Sequence, residues 1–113
     1  MKTASAKAKG RSLAKKIAEC LVRIGGLDIR DVRVTSSGVT GADITFSPLG
    51  ASIWPFSIEC KKHARFSIYE HFDQAVSNTK EGQIAALIIE ANRREPLIVL
   101  DATSFLQMWR DLQ

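Results

Sequence analysis

The stretch that decides the fold is Trp54-Pro55-Phe56-Ser57-Ile58-Glu59-Cys60-Lys61, an apolar run that ends in an acid and a lysine. Side chains of a β-strand alternate between its two faces, so Phe56, Ile58 and Cys60 are predicted to point into a core. Glu59 and Lys61 then share the opposite face. Two charged groups at the end of an apolar strand cost stability, which indicates that they serve a chemical purpose.

A second acid, Asp43, follows Gly41-Ala42 on the strand predicted to precede this one. Two carboxylates can hold a divalent cation, and a lysine beside them can orient a water or stabilise charge on a phosphate. An acid and a lysine two positions apart occur often by chance, so the pair gains its weight from Asp43. Together Asp43, Glu59 and Lys61 predict metal-dependent phosphodiester chemistry.

Length and composition are those of one compact globular domain, with 113 residues of which 45% are hydrophobic. No apolar run reaches the length of a membrane span, and no secretory signal follows the basic N-terminus, so we expect no membrane contact. The two cysteines, Cys20 and Cys60, match neither a disulfide framework nor a zinc pattern. They are predicted to be reduced, which suits the cytoplasm.

Positive charge is concentrated at the N-terminus. Residues 1–26 carry seven basic residues and one acid, a net +6, whereas the whole chain carries +4 and the remainder therefore about −2. Such a segment suits contact with nucleic acid phosphates, although a solvated helix face explains it equally well. A second basic group at residues 61–65, directly after the acid, favours nucleic acid.

Hydrophobic periodicity predicts an α/β fold in the order α-β-β-β-α-β-β-α, with a mixed sheet flanked by helices. Residues 1–8 are predicted to be a flexible basic arm and residues 9–113 the domain. Helices are predicted over 10–24, over 67–79 and from a cap at Thr103 or Ser104 onward, with strands over 31–35, 42–46, 53–61, 85–90 and 96–100. Residues 47–50 are predicted to be a hairpin connection. The last helix is predicted to pack on the sheet through Phe105, Leu106, Met108, Trp109 and Leu112.

With these residues in place, the chain resembles the PD-(D/E)xK nuclease superfamily, and within it the small phage and bacterial nucleases similar to Holliday junction resolvases. The matching segments are Lys9-Gly10-Arg11-Ser12-Leu13, residues 33–44, Ser47-Pro48, residues 56–61, Gln74-Ala75 with Asn78, and residues 92–100. They extend over nearly the whole chain after residue 8. The resemblance implies a single-domain restriction-endonuclease-like core of order α-β-β-β-α-β.

The resemblance also implies the roles of the site residues. Asp43 and Glu59, helped by the backbone carbonyl of Cys60, are expected to bind one or two Mg²⁺ or Mn²⁺ ions, and Lys61 to lie near the attacking water and the scissile phosphate. Gln74 matches a glutamine that many of these nucleases have beside the site, although an exposed helical residue is an equal alternative.

The first helix departs from the family pattern. Archaeal resolvases of this type carry a metal-binding glutamate there, and the matching position is Ala14, which leaves the number of metal ions open. The residues expected to bind DNA phosphates are Lys9, Arg11, Lys15, Lys16, Ser36, Ser37, Lys62 and Arg65, with a plain turn as the alternative for the two serines.

The resulting hypothesis is a Mg-dependent endodeoxyribonuclease that cuts branched DNA such as a Holliday junction. It is expected to act as a homodimer in a bacterial or phage-infected cytoplasm. The alternatives are a nuclease for linear duplex DNA and a catalytically inactive DNA-binding module with the same fold.

Overall fold

The computed structural model describes the backbone of residues 4–35 and 41–113, and the side chains of 7–35 and 41–113. The helices are α1 (Ala4–Gly25), α2 (Pro48–Ile53), α3 (Ile68–Ser77) and α4 (Ala102–Asp111). The strands are β1 (Val32–Val34), β2 (Ile44–Phe46), β3 (Phe56–Lys62), β4 (Ile84–Glu90) and β5 (Leu97–Val99), and a short 3-10 helix (Ile29–Asp31) precedes β1.

The five strands form one mixed sheet in the order β1-β2-β3-β4-β5. β3 and β4 are parallel and all other neighbours are antiparallel. A parallel pair needs a crossover connection, which α3 supplies between β3 and β4. The predicted α/β class, the mixed sheet and the α-β-β-β-α-β core are therefore confirmed.

Helices cover both faces of the central strands. On one face, Ile58, Cys60, Ala86 and Ile88 form the core together with Leu13, Ala14 and Ala18 of α1. On the other face lies α3, and the hydroxyl of Ser57 donates to the carbonyl oxygen of Asn78 at the end of that helix (3.3 Å). Because β3 lies between two layers of helices, the polar side chains on its α3 side are buried.

The helix α1 runs antiparallel to β3. The indole Nε1 of Trp54 donates to the carbonyl oxygen of Leu21 (3.0 Å), and a Cβ placed on Gly10 would lie 3.8 Å from the carbonyl oxygen of Cys60. The N-terminal half of α1 therefore lies at the C-terminal end of β3. The helix begins at Ala4, well before its predicted start at residue 10, so residues 4–8 of the predicted arm are helical.

The predicted hairpin connection at residues 47–50 is wrong, because α2 occupies this part of the chain. The hydroxyl of Ser47 accepts from the backbone N–H of Gly50 (3.0 Å), and Pro48 occupies the first turn. A serine followed by proline is a helix-start signal. Gly50 is required by a close approach, since a Cβ there would lie 2.5 Å from the carbonyl oxygen of Asp31.

The last helix differs from its prediction in two respects. Its N-cap is Asp101, whose carboxylate accepts from the backbone N–H of Ser104 (2.9 Å), so the predicted cap at Thr103 or Ser104 is wrong. Of the apolar residues predicted to pack on the sheet, only Met108 packs against the core. Phe105, Leu106, Trp109 and Leu112 are exposed. These side chains remain exposed because α4 follows β5, the edge strand, so that the sheet ends beside the helix and covers only part of it.

Candidate active site

Glu59 and Lys61 lie next to each other on the α3 side of β3. The Nζ atom of Lys61 is 3.9 Å from Oε1 of Glu59, and their side chains are only 7% and 5% exposed. Removing two charges from water costs free energy, which the groups around them must offset. The fold thus holds an acid and a lysine side by side in a buried position.

Asp43 joins this pair from the neighbouring chain segment. Its carboxylate oxygen Oδ2 accepts from the backbone N–H of Cys60 (2.7 Å), and its own N–H donates to the carbonyl oxygen of Ile58 (2.8 Å). β2 pairs with β3 only through Ile44 and Ile58. The Asp43 carboxylate therefore accepts a hydrogen bond from the β3 backbone at Cys60, the residue between Glu59 and Lys61 and just past the point where β2 stops pairing with β3.

The thiol of Cys60 is buried in the core. Burial raises the pKa of this thiol well above its usual range, and the negative charges of Asp43 and Glu59 raise it further, against a smaller opposing effect of Lys61. The thiol is therefore neutral and is no thiolate ligand. The N–H and C=O of one strand residue point to the same edge of the strand. The Cys60 carbonyl therefore points to the edge of β3 on which Asp43 lies.

The residues present suit a hard divalent cation. Asp43 and Glu59 supply carboxylate oxygens and Cys60 a carbonyl oxygen, and Mg²⁺ is bound in proteins by one or two carboxylates while it keeps several waters. Across residues 4–35 and 41–113, no three or more His, Cys, Asp or Glu side chains are grouped to hold a metal. Ala14 is 1% exposed within the core, so α1 contributes a buried methyl group there and no metal ligand.

Most of the residues predicted to bind DNA lie at the surface. Lys9, Arg11, Lys15, Lys16 and Arg65 are exposed, and Lys62 is half-buried at the end of β3. Lys9 and Arg11 flank Gly10, which α1 places over Cys60. Gln74 is exposed on α3, and its place beside Glu59 and Lys61 stays a prediction. Ser36 and Ser37 lie outside the described residues.

Sequence reasoning missed Glu90, which ends β4 as Glu59 ends the apolar part of β3. Its buried carboxylate accepts from Nζ of Lys16 (2.6 Å) and lies 3.0 Å from Nζ of Lys62. The hydrogen bond from Lys16, followed by that from Lys62, lowers the pKa of Glu90, although burial opposes the shift. Two of the lysines predicted to bind DNA thus also attach α1 and β3 to the end of β4.

We expect Glu90→Gln to lower the free energy of unfolding by about 1 kcal/mol at pH 7, a value kept small because Lys16 and Lys62 are partly exposed. The folded-state pKa of Glu90 lies below the ordinary 4.5. Its contribution is therefore present above about pH 4.5 and is lost as the pH falls through the lower folded value. Urea unfolding of both proteins from pH 7 to pH 3 measures the difference, and a gap that does not shrink as the pH falls below 4.5 would contradict this origin.

Three rings meet just beyond the C-terminal end of β3. The rings of His63 and His71 are stacked with centroids 5.4 Å apart, and Phe66 lies edge-on to both. The cluster joins the segment after β3 to the first turns of α3. The two histidines are eight positions apart, and their contact depends on the loop between them, so no spacing in the sequence indicates it.

The α-β-β-β-α-β core is compatible with the PD-(D/E)xK nuclease superfamily, and it carries an acid just before β2 and the Glu59-Cys60-Lys61 pattern near the end of β3. A family model described as "Phage putative PDDEXK endonuclease" matches residues 5–113. The chain belongs to this family of phage endonucleases. Neither the curated proteins nor the solved structures compared with the chain gave a match.

Proposed function

We propose that this protein is a divalent-metal-dependent DNA endonuclease that selects branched DNA such as a four-way junction. The observations that support it are the buried Glu59–Lys61 pair on β3 and the hydrogen bond from the backbone N–H of Cys60, the residue between them, to the Asp43 carboxylate. Membership of a phage endonuclease family supports the reaction class. Selectivity for branched DNA is a further part of the proposal, which cleavage of different DNA substrates tests.

The chemistry follows from the positions of the three side chains. Asp43 and Glu59, with the Cys60 carbonyl, would hold Mg²⁺ or Mn²⁺, and such an ion lowers the pKa of a water and offsets negative charge on the phosphate. Lys61 would donate to the phosphoryl oxygen on which charge develops. Because Lys61 is buried, water screens its charge less than that of a surface lysine. Gln74 is proposed to complete the site from α3.

Binding of DNA is proposed to use the basic residues around the same end of the sheet. Lys9 and Arg11 stand on either side of Gly10, which lies near the Cys60 carbonyl, and Arg65 follows β3. Contacts of lysine and arginine with phosphates supply affinity and orientation without reading the base sequence. Such contacts suit an enzyme that selects its substrate by shape.

Symmetric cleavage of a junction requires two active sites, so a twofold homodimer is part of the proposal. Its proposed place is the cytoplasm of a bacterium or of a phage-infected host, in DNA recombination. Within residues 4–35 and 41–113, no helix combines the length and the apolar composition that crossing a bilayer demands.

A gel cleavage assay with a synthetic four-way junction, the matched linear duplex and the single strand tests the substrate. Paired symmetric nicks in the junction alone, in Mg²⁺ or Mn²⁺, are the expected result. Equal cutting of all three substrates would leave a nuclease without branch selectivity. If the folded protein shifts the DNA without cutting it, the chain is a DNA-binding module, a function that the buried methyl group of Ala14 favours as the second candidate.

A further inference from the structure

Among the side chains that the structure describes, exposed apolar ones are most concentrated at the C-terminal end. We define the C-terminal apolar surface as Ile98 of β5 with Phe105, Leu106, Trp109 and Leu112 of α4, whose exposed fractions range from 42% to 74%. Ile98 pairs with Ile88, a residue of the core on the α1 side. Met108 packs against that same core, so α4 and Ile98 belong to the same side of the sheet.

The helix α4 makes little packing contact with the rest of the chain. It has ten residues, none of them buried, and helices of this length are marginal in water without tertiary packing. Phe105, Trp109 and Leu112 follow the spacing i, i+4, i+7 and so form one stripe. The rings of Phe105 and Trp109 stack with centroids 6.3 Å apart, which makes the stripe a continuous surface. Burial of this stripe would supply the packing that α4 lacks.

We infer that two copies of this chain meet through the C-terminal apolar surface in a twofold-symmetric dimer. The charges of this region decide between possible partners. Residues 97–113 contain Asp101, Arg110 and Asp111 as their only charged side chains, a net −1. Nucleic acids and anionic membrane surfaces attract cationic segments, and this one is slightly acidic. A second copy of the same nearly neutral surface meets no such repulsion.

The geometry of a helix pair also suits self-association. In an antiparallel crossing of two α4 helices, Asp101 at the N-terminus of one approaches Arg110 near the C-terminus of the other, and the two helix dipoles oppose each other. All five side chains are large, and the two aromatic ones can bury about 150–250 Å² each when they are fully covered. A standard interface buries about 800 Å² on each partner, so these side chains can form its apolar centre with polar neighbours around them.

The inference supplies a contact surface for the proposed homodimer, but it is tested without DNA, metal or cleavage. Its failure and the failure of the nuclease proposal are therefore distinguishable. A suitable comparison residue is Ile29, which is 75% exposed. It lines an apolar groove of about 510 Å³ between α1 and β1, at the opposite edge of the sheet.

Sedimentation equilibrium from about 1 to 100 μM protein measures the association. The natural chain is expected to have the mass of two chains. Trp109→Glu and Leu106→Glu are expected to have the mass of one chain or a dissociation constant at least 100-fold higher, because each places two carboxylates in the interface. Ile29→Glu is expected to remain a dimer.

A monomeric natural chain over this whole range would overturn the inference. So would dissociation of the Ile29→Glu variant while both α4 variants remain dimeric, since the groove beside β1 would then be the interface. Far-UV circular dichroism verifies the folding of each variant. If a glutamate variant is unfolded, Trp109→Ala and Leu106→Ala take its place, and unchanged dimerisation of both would equally overturn the inference.

Discussion

Replacement of Glu59 by glutamine is expected to lower the rate of DNA cleavage by about 10²- to 10³-fold. Glutamine keeps the size of the side chain but lacks the negative charge with which Glu59 would hold a cation. The DNA affinity in low salt should stay the same or rise slightly, because one negative charge near the bound phosphates is removed. Single-turnover cleavage and a filter-binding titration measure the two effects separately.

Loss of activity in this variant must be distinguished from loss of structure. Lys61 would lose its buried counter-charge, so we expect the free energy of unfolding to fall by about 1–3 kcal/mol without loss of the fold. Glu81→Gln is the matched control, since Glu81 is an exposed acid just before β4, at the other end of the parallel β3–β4 pair. It should cleave at the normal rate. A Glu59→Gln protein that is folded and fully active would contradict the proposed role.

Two substitutions of Asp43 are expected to separate its chemical role from its structural one. Both Asp43→Asn and Asp43→Ala should reduce cleavage by about 10²-fold or more, since neither retains the carboxylate charge. Only the alanine variant should lose stability, by about 1–2 kcal/mol, because asparagine still offers an oxygen to the backbone N–H of Cys60. Urea unfolding and single-turnover cleavage of the two variants provide the comparison.

The asparagine variant is the informative member of this pair. An active Asp43→Asn protein would show that Asp43 only holds the end of β3. An equal loss of stability in both variants would show that the hydrogen bond to Cys60 depends on the charge of the carboxylate rather than on its shape.

The sequence predicts the central part of the fold well because the signals there are local. Two apolar runs end in an acid, one at Glu59 and one at Glu90, and such runs are buried on both faces only in the middle of a sheet. The structure places β3 and β4 there, with helices on both sides. The failures lie at the periphery. Ser47-Pro48 starts a helix, but the same residues are also common in the turn of a hairpin, so turn statistics alone do not distinguish the two. The helix α4 has an apolar stripe, but the rest of the chain buries only a small part of it.

The positions of the candidate site residues were predictable to the extent that one strand holds them. Glu59 and Lys61 share a face because they are two residues apart on β3. The hydrogen bond of Asp43 to Cys60, the attachment of Lys16 and Lys62 to Glu90, and the stacking of His63 on His71 each join distant parts of the chain. No periodicity encodes such contacts, so only the folded arrangement reveals them.

Single-turnover cleavage of a four-way junction over a titration of Mg²⁺ or Mn²⁺ tests most directly whether Asp43, Glu59 and Lys61 form a metal-dependent active site. We predict cleavage that rises to saturation with the metal ion and stops in excess chelator. In Glu59→Gln it is expected to be at least about 100-fold slower at every metal concentration, while Glu81→Gln follows the natural chain. Cleavage that persists in chelator, or that is the same in Glu59→Gln and the natural chain, would contradict the assignment.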